Sequence, residues 1–270
     1  MKRVAGISWV AIASWVGLLG VVAPLRAEDD VAGRIKRTLQ ARLPKLSIDA
    51  VQPAPVPGIY EVFVGNEVAY ADATGNYLFV GRLMDTRNRR DLSAEQLDAH
   101  MAIDFHKLPF DRAIKIVKGN GKRQLALFAD PDCPYCRQLE QSMRSISDVT
   151  IYVFLYPLES VHPGATVHAH EIWCSADRAS AWTQWLLERK PPPGAGKAPP
   201  GASCAGDPVN ELQALGTSLH IYSTPTMFLE NGHRVGGAMA APDLEKLLAQ
   251  GSKEVPRTAA VSGAGHGSGG

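Results

Sequence analysis

Two cysteines separated by two residues, Cys133-Pro134-Tyr135-Cys136, are the part of this chain best suited to chemistry. If the pair opens a helix, the first sulfur lies beside the N-terminus, where unpaired N–H groups and the macrodipole stabilise a thiolate. The second sulfur then lies one turn inside, so Cys133 is expected to be the accessible thiol and Cys136 the shielded one. Pro134 suits the first helical position because its missing N–H would have been unpaired there anyway. The chemistry this predicts is thiol–disulfide exchange: Cys133 attacks a substrate disulfide to form a mixed disulfide, and Cys136 displaces the substrate. A CxxC can also be half of a zinc site, or an accident of spacing. Tetrahedral zinc needs a second close Cys/Cys or Cys/His pair, and the other two cysteines, Cys174 and Cys204, lie thirty positions apart. No metal and no cofactor is expected.

Cys174 follows Trp173 on an apolar stretch and Cys204 ends a Pro/Gly-rich one, a placement that suits a structural disulfide closing the excursion between them. Closing a loop of that length stabilises by roughly 3 to 4 kcal/mol in the chain-entropy model. The alternative is two free buried thiols. His168 and His170 are two apart, so on a helix they point to different faces and cannot chelate together; they are expected as surface histidines. Tyr135 is either a plain exposed aromatic or a ring that packs on apolar substrate.

The cysteines must be held by their neighbours. Leu125–Phe128 reads as a strand entering the motif, and Leu139, Met143 and Ile146 follow at helical spacing, so the motif sits on a strand-to-helix turn. Upstream, Ile114–Lys118 and Gln124–Ala129 around Gly119-Asn120-Gly121 read as a hairpin. Downstream come a strand Ile151–Tyr156, a helical stretch from about Ala165 to Leu187, and a Pro/Gly-rich insertion over 190–203. Asp207 and Pro208 start another helix. A hairpin of Thr226–Leu229 and His233–Val235 around Asn231-Gly232 follows, then a last helix over Asp243–Ala249. The Gly/Ser-rich tail, 251–270, is expected to be disordered.

Residues 1–27 read as a secretory signal peptide: Lys2 and Arg3, an uncharged run from Val4 to Leu25, and a small residue, Ala27, at the cleavage point; the alternative is an uncleaved anchor, since the run is long and Leu25 stands where a small residue is preferred. All four cysteines lie beyond it, as an oxidising compartment favours. Residues 28–90 carry one amphipathic helix, with Asp29 and Asp30 as its cap and Val31, Ile35 and Leu39 on its face. A β-meander of Ile59–Val64, Glu67–Ala71 and Tyr77–Gly81 follows. So small a core is marginal alone, which predicts a dimerisation domain. Residues 91–108 form a linker helix, with Ser93 and Gln96 as a capping box, and 109–250 the catalytic domain. Lys plus Arg (28) balance Asp plus Glu (27), so no field exists to gather nucleic acid.

With the strand, CPYC and helix followed by Ser223-Thr224-Pro225-Thr226 before the last hairpin, the chain resembles the thioredoxin superfamily. More closely, it resembles the periplasmic disulfide isomerases typified by DsbC, with DsbG as a relative, over about residues 28–250. The resemblance implies an α/β fold: a thioredoxin-like catalytic domain preceded by a small α+β dimerisation domain and a linker helix. It also implies that Pro225 is cis, that Thr224 and Pro225 bind substrate, and that Cys174 and Cys204 form the family's structural disulfide. The implied activity is reduction or isomerisation of non-native disulfides in exported proteins, by a periplasmic homodimer kept reduced by a DsbD-type membrane reductant. A DsbG-like reductase of oxidised single cysteines and a chaperone-type binder of unfolded chains are the alternatives. Pro134 and Tyr135 are the middle pair of glutaredoxins, where the best-known isomerase has Gly first.

Overall fold

The computed structural model describes residues 25–193, 195–196 and 203–251. The expected signal segment up to residue 24, half of the insertion loop (194 and 197–202) and the tail from 252 lie outside the described residues. Chain contacts divide the protein into two compact units, one running to Val80 except for Gly65–Val68, the other taking that turn and everything from Gly81.

In the first unit, helix α1 (Leu25–Arg42) precedes a sheet of β1 (Ala50–Pro53), β2 (Ile59–Val64), β3 (Glu67–Asp72) and β4 (Leu78–Val80), paired in chain order. Ile35 and Leu39, one helical turn apart, bury against Ile48, Val62 and Ala71. Asp29 and Asp30 do not cap this helix, which begins four residues before Asp29; Asp30 lies inside it, 3.9 Å from Arg34 one turn on. Strand β1, absent from the sequence reading, includes Pro53. A proline is tolerated there because β1 is an edge.

The second unit opens with the short pair β5 (Met84–Asp85) and β6 (Arg90–Asp91) and with α2 (Leu92–Met101). Asp91 is the cap, accepting the Ala94 N–H at 3.0 Å. Ser93, the residue expected to do this, instead accepts the Leu83 N–H at 2.6 Å. The main sheet comprises β7 (Ile114–Lys118), β8 (Arg123–Ala129), β9 (Val149–Leu155), β10 (Thr226–Leu229) and β11 (Arg234–Gly236), in the order β11-β10-β8-β9-β7. The expected β7–β8 hairpin does not form: β9 lies between the two strands, and Ile116 and Leu125 both register with Ile151. Burial explains the choice. β8 is buried on both faces from Leu125 to Ala129 and takes a central place, whereas β7 alternates buried and exposed residues as an edge strand does.

Helices α3 (Pro134–Met143), α4 (Ala165–Trp173), α5 (Arg178–Glu188), α6 (Val209–Ser218) and α7 (Ala241–Gly251) complete the unit. The stretch expected as one helix to Leu187 is therefore two, because Asp177 turns aside to accept the Ser180 N–H at 3.0 Å and caps α5. In the β10–β11 turn, Gly232 has φ +85°, and a Cβ there would stand 2.1 Å from the Ile103 carbonyl oxygen, so only glycine fits. The result is a thioredoxin-like α/β unit that follows a small α+β unit in the chain. Its β8–α3–β9 crossover is parallel, which puts the CPYC motif at the carboxyl end of a central strand, where open α/β sheets hold their sites. Among the described residues no helix is long and apolar enough to cross a membrane.

Candidate active site

Cys133 is the N-cap of α3, in extended conformation, and Pro134 is the first helical residue. Opposite, β10 pairs antiparallel with β8, Thr226 against Phe128; continuing that register by two residues brings Thr224 level with Asp130 at the root of the motif. Two segments ninety-one positions apart thereby meet. The Cys133 Sγ donates to the Thr224 carbonyl oxygen at 3.3 Å, and the Thr224–Pro225 bond is cis.

Exposure does not separate the two thiols. Cys133 is 3% exposed and Cys136 2%, so Cys133 is not the accessible thiol that a plain reading of the motif predicts; the Thr224 loop lies over it. Charge separates them. The Cys133 thiol is brought down to about 5, first by a hydrogen bond from the Cys136 side chain. Burial opposes this, while the Thr224 hydroxyl and the Cys136 and Tyr135 backbone N–H groups at the helix start assist. Burial, then the neighbouring Cys133 sulfur, push Cys136 well above an ordinary thiol. At neutral pH the first sulfur is a thiolate and the second a thiol that can protonate a leaving group. Tyr135 is 62% exposed, and Val161 and Tyr222, on loops that also reach this end of the sheet, are exposed too.

Residues that the motif alone does not announce support the loop. Asp130 is fully buried; its carboxylate accepts the Asp132 N–H and the Leu158 N–H, both at 2.7 Å, and lies 2.9 Å from His162 Nδ1. Its carbonyl accepts the Cys133 N–H at 3.3 Å. Asp132 meets His168 Nδ1 at 2.6 Å, and Arg189 and the Trp185 indole, each at 3.2 Å. The signal for this shell was two aspartates flanking Pro131 directly before the nucleophile; their histidine partners, about thirty residues on, have no local signature.

Cys174 and Cys204 are joined in a disulfide with Cα atoms 5.7 Å apart, rather than being free thiols. His168 and His170 diverge as their spacing requires, but they are not surface histidines. His170 is 6% exposed with Nδ1 2.7 Å from Asp207, and His168 is half-buried on Asp132. Asp207 also accepts the Val209 N–H at 3.0 Å, which ties α4 to the start of α6.

Comparison with known proteins agrees with this geometry. A model of the thioredoxin-like domain matches residues 110–252, and one of the disulfide bond isomerase protein N-terminal domain matches 23–94. The chain is 40% identical over 220 residues to the probable thiol:disulfide interchange protein DsbC of Bordetella avium (strain 197N), covering 82% of this chain and 76% of that protein. It is 25% identical over 242 residues to the thiol:disulfide interchange protein DsbC of Escherichia coli K12, covering 86% and 92%. A crystal structure of a disulfide interchange protein from Neisseria gonorrhoeae, 39% identical, covers 54% of this chain and all of its own, with a TM-score of 0.49. That 40% identity over 82% of the chain, with the isomerase N-terminal domain preceding the thioredoxin-like one in sequence, places the chain in the DsbC family of thiol:disulfide interchange proteins.

Proposed function

We propose that Cys133 is the attacking sulfur of this thiol:disulfide interchange enzyme and Cys136 the resolving one. The observation that carries the reading is the placement of Cys133: at the start of α3, against the Thr224 carbonyl, with its thiol held near 5. The thiolate attacks one sulfur of a substrate disulfide, and the other leaves with a proton. Cys136, once deprotonated, attacks Cys133 in the mixed disulfide, so the substrate departs reduced and the protein keeps the disulfide. Escape of the substrate to a different internal pairing before that step is isomerisation, and it leaves Cys133 and Cys136 reduced. Thr224 offers its backbone to an extended substrate segment. Tyr135, Val161 and Tyr222 supply exposed apolar surface for a partly unfolded chain, a feature that also favours a chaperone-type activity in the same molecule.

The finer reading is a periplasmic homodimer acting on misfolded disulfide-containing exported proteins and re-reduced by a DsbD-type membrane protein, with Cys174–Cys204 purely structural. Residues 28–90 serve as dimerisation domain, 91–108 as linker and 109–250 as catalytic domain. The support for a dimer is β4, an edge strand that leaves Phe79 and Val80 exposed beside Tyr77.

Refolding of scrambled ribonuclease tests the roles. Wild type should restore activity, Cys133→Ala should not, and Cys136→Ala should accumulate mixed disulfides through Cys133. Mixed disulfides through Cys136 would reverse the assignment.

A further inference from the structure

Two carboxylates stand next to the nucleophile without taking part in the exchange. Asp130 and Asp132 lie three and one residues before Cys133, and an uncompensated carboxylate so close holds a proton on a neighbouring sulfur. Asp132 has a permanent counter-charge in Arg189, beside its contact with His168. Asp130 does not. Its carboxylate bonds are two backbone N–H groups and His162, so among the described residues its charge is balanced only when that imidazole is protonated.

His162 is built for this place. Its N–H donates to the Leu158 carbonyl at 2.8 Å and its carbonyl accepts the Ala165 N–H at 3.1 Å, which fixes the backbone on both sides. The side chain is 19% exposed while Asp130 is sealed, so the histidine can exchange protons with solvent while in contact with a buried carboxylate. Asp130 in turn holds the active-site turn through the N–H groups of Asp132 and Cys133.

We infer that His162 is a positioning residue for thiol–disulfide exchange: protonated, it cancels the buried Asp130 charge and favours the Cys133 thiolate; neutral, it leaves that thiolate facing an uncompensated carboxylate. The inference rests on Cys133 being the attacking sulfur. Charged groups acting on His162 are Asp130 from the end of β8 and Cys133 and Asp132 from the active-site turn. Glu159, on its own loop, is engaged by the Gly164 and Thr166 N–H groups, and His168 on α4 by Asp132. Burial lowers His162 and is outweighed by its hydrogen bond to Asp130 and these negative charges, so it titrates above an ordinary histidine. Coupling of this kind is reciprocal: whatever the imidazolium does for the thiolate, the thiolate does for the imidazolium.

The test uses the full chain. In a Cys136→Ser background, ultraviolet thiolate absorbance reads Cys133 directly, and adding His162→Asn keeps an amide donor for Asp130 but removes the charge. The Cys133 midpoint should rise by about 1 pH unit, at the low end of what a nearby opposite charge produces. Separately, the ring protons of His162, followed by NMR, should titrate at lower pH in Cys133→Ser than in the reduced wild type. A His162 midpoint that ignores the loss of Cys133 overturns the proposal, even if His162→Asn does not fold. Alkylation mapping distinguishes the two failures. If Cys136 is modified first, the assignment of the attacking sulfur fails; if Cys133 is modified first and neither midpoint responds, only the role of His162 does.

Discussion

The Cys133 Sγ lies 3.3 Å from the Thr224 carbonyl oxygen, across two chain segments brought together by the pairing of β10 with β8. A thiol satisfies that carbonyl; a thiolate cannot donate to it and turns to the N–H groups of the helix start and the Thr224 hydroxyl. Ionisation of Cys133 therefore frees the carbonyl that an incoming substrate strand would use.

Reduced Cys133 should react with a neutral alkylating agent at a rate that rises through about pH 5 and then levels off. Stability follows by linkage. The folded value lies below the roughly 8.5 of an unfolded thiol. The contribution is therefore complete above about 8.5, amounts to about 3 kcal/mol at pH 7, and is lost as pH falls through about 5. Denaturant unfolding of oxidised and reduced protein checks it: the reduced form should gain on the oxidised form between pH 5 and 8. A pH-independent difference would refute the thiolate.

Thr224→Val should move the Cys133 titration upward with little change in stability below about pH 5, within about 0.5 kcal/mol. Beside the protonated thiol the buried hydroxyl has no partner, so the fold loses nothing there by its removal, whereas at higher pH the thiolate loses a donor. Paired thermal melts and alkylation profiles decide. Lost stability with an unmoved titration would make Thr224 a structural residue only.

Much of this was legible because local chemistry and tertiary fold agree. The CPYC motif, the helix spacing of Leu139 and Met143, and the Asn231-Gly232 turn all specify their own surroundings, and each element formed where its residues required. What failed was non-local. Nothing within Ile114–Ala129 tells a hairpin from two strands held apart by a third, because the deciding residues, Val149–Leu155, come later in the chain. The Asp130–His162 contact has the same character: neither residue announces a partner by its local sequence, and the return of the chain after β9 brings them together. Asp91 outcompeted Ser93 for the α2 cap because Ser93 was claimed by Leu83.

The Cys174–Cys204 disulfide should survive a reductant mild enough to open Cys133–Cys136. Cys174 sits at the C-terminal end of α4, where the helix dipole disfavours a thiolate, and its sulfur is 3.7 Å from the Asp207 carboxylate. Both features oppose the reduced state, the reverse of the setting of Cys133. Peptide mapping after graded reduction tests the order. The Cys174→Ala/Cys204→Ala double variant should lose about 3 to 4 kcal/mol for a bridge spanning thirty residues, yet retain exchange activity. Simultaneous opening of both pairs would count against a purely structural bond.

The first unit should carry the dimer interface. Its core is a single helix on a short sheet, and β4, at the sheet's edge, presents Phe79 and Val80 to solvent. Pairing of such an edge with another copy would satisfy its backbone and cover its apolar side chains together. Phe79→Glu with Val80→Lys should therefore dissociate the full chain, as read by sedimentation, without altering the Cys133 alkylation profile. A fragment beginning at Gly81 should be monomeric as well. It must not begin as late as Leu108, because Phe105 belongs to the second unit's core and Ile103 donates its N–H to the Gly232 carbonyl at 3.1 Å. Such a fragment should reduce a small disulfide at close to the full rate but refold scrambled ribonuclease poorly. Reduction takes one encounter, whereas isomerisation requires a substrate to be held through repeated attacks, which two linked sites prolong. A charged variant that stays dimeric would move the interface off β4, and a monomer that isomerises as well as wild type would show that dimerisation is not needed for the activity.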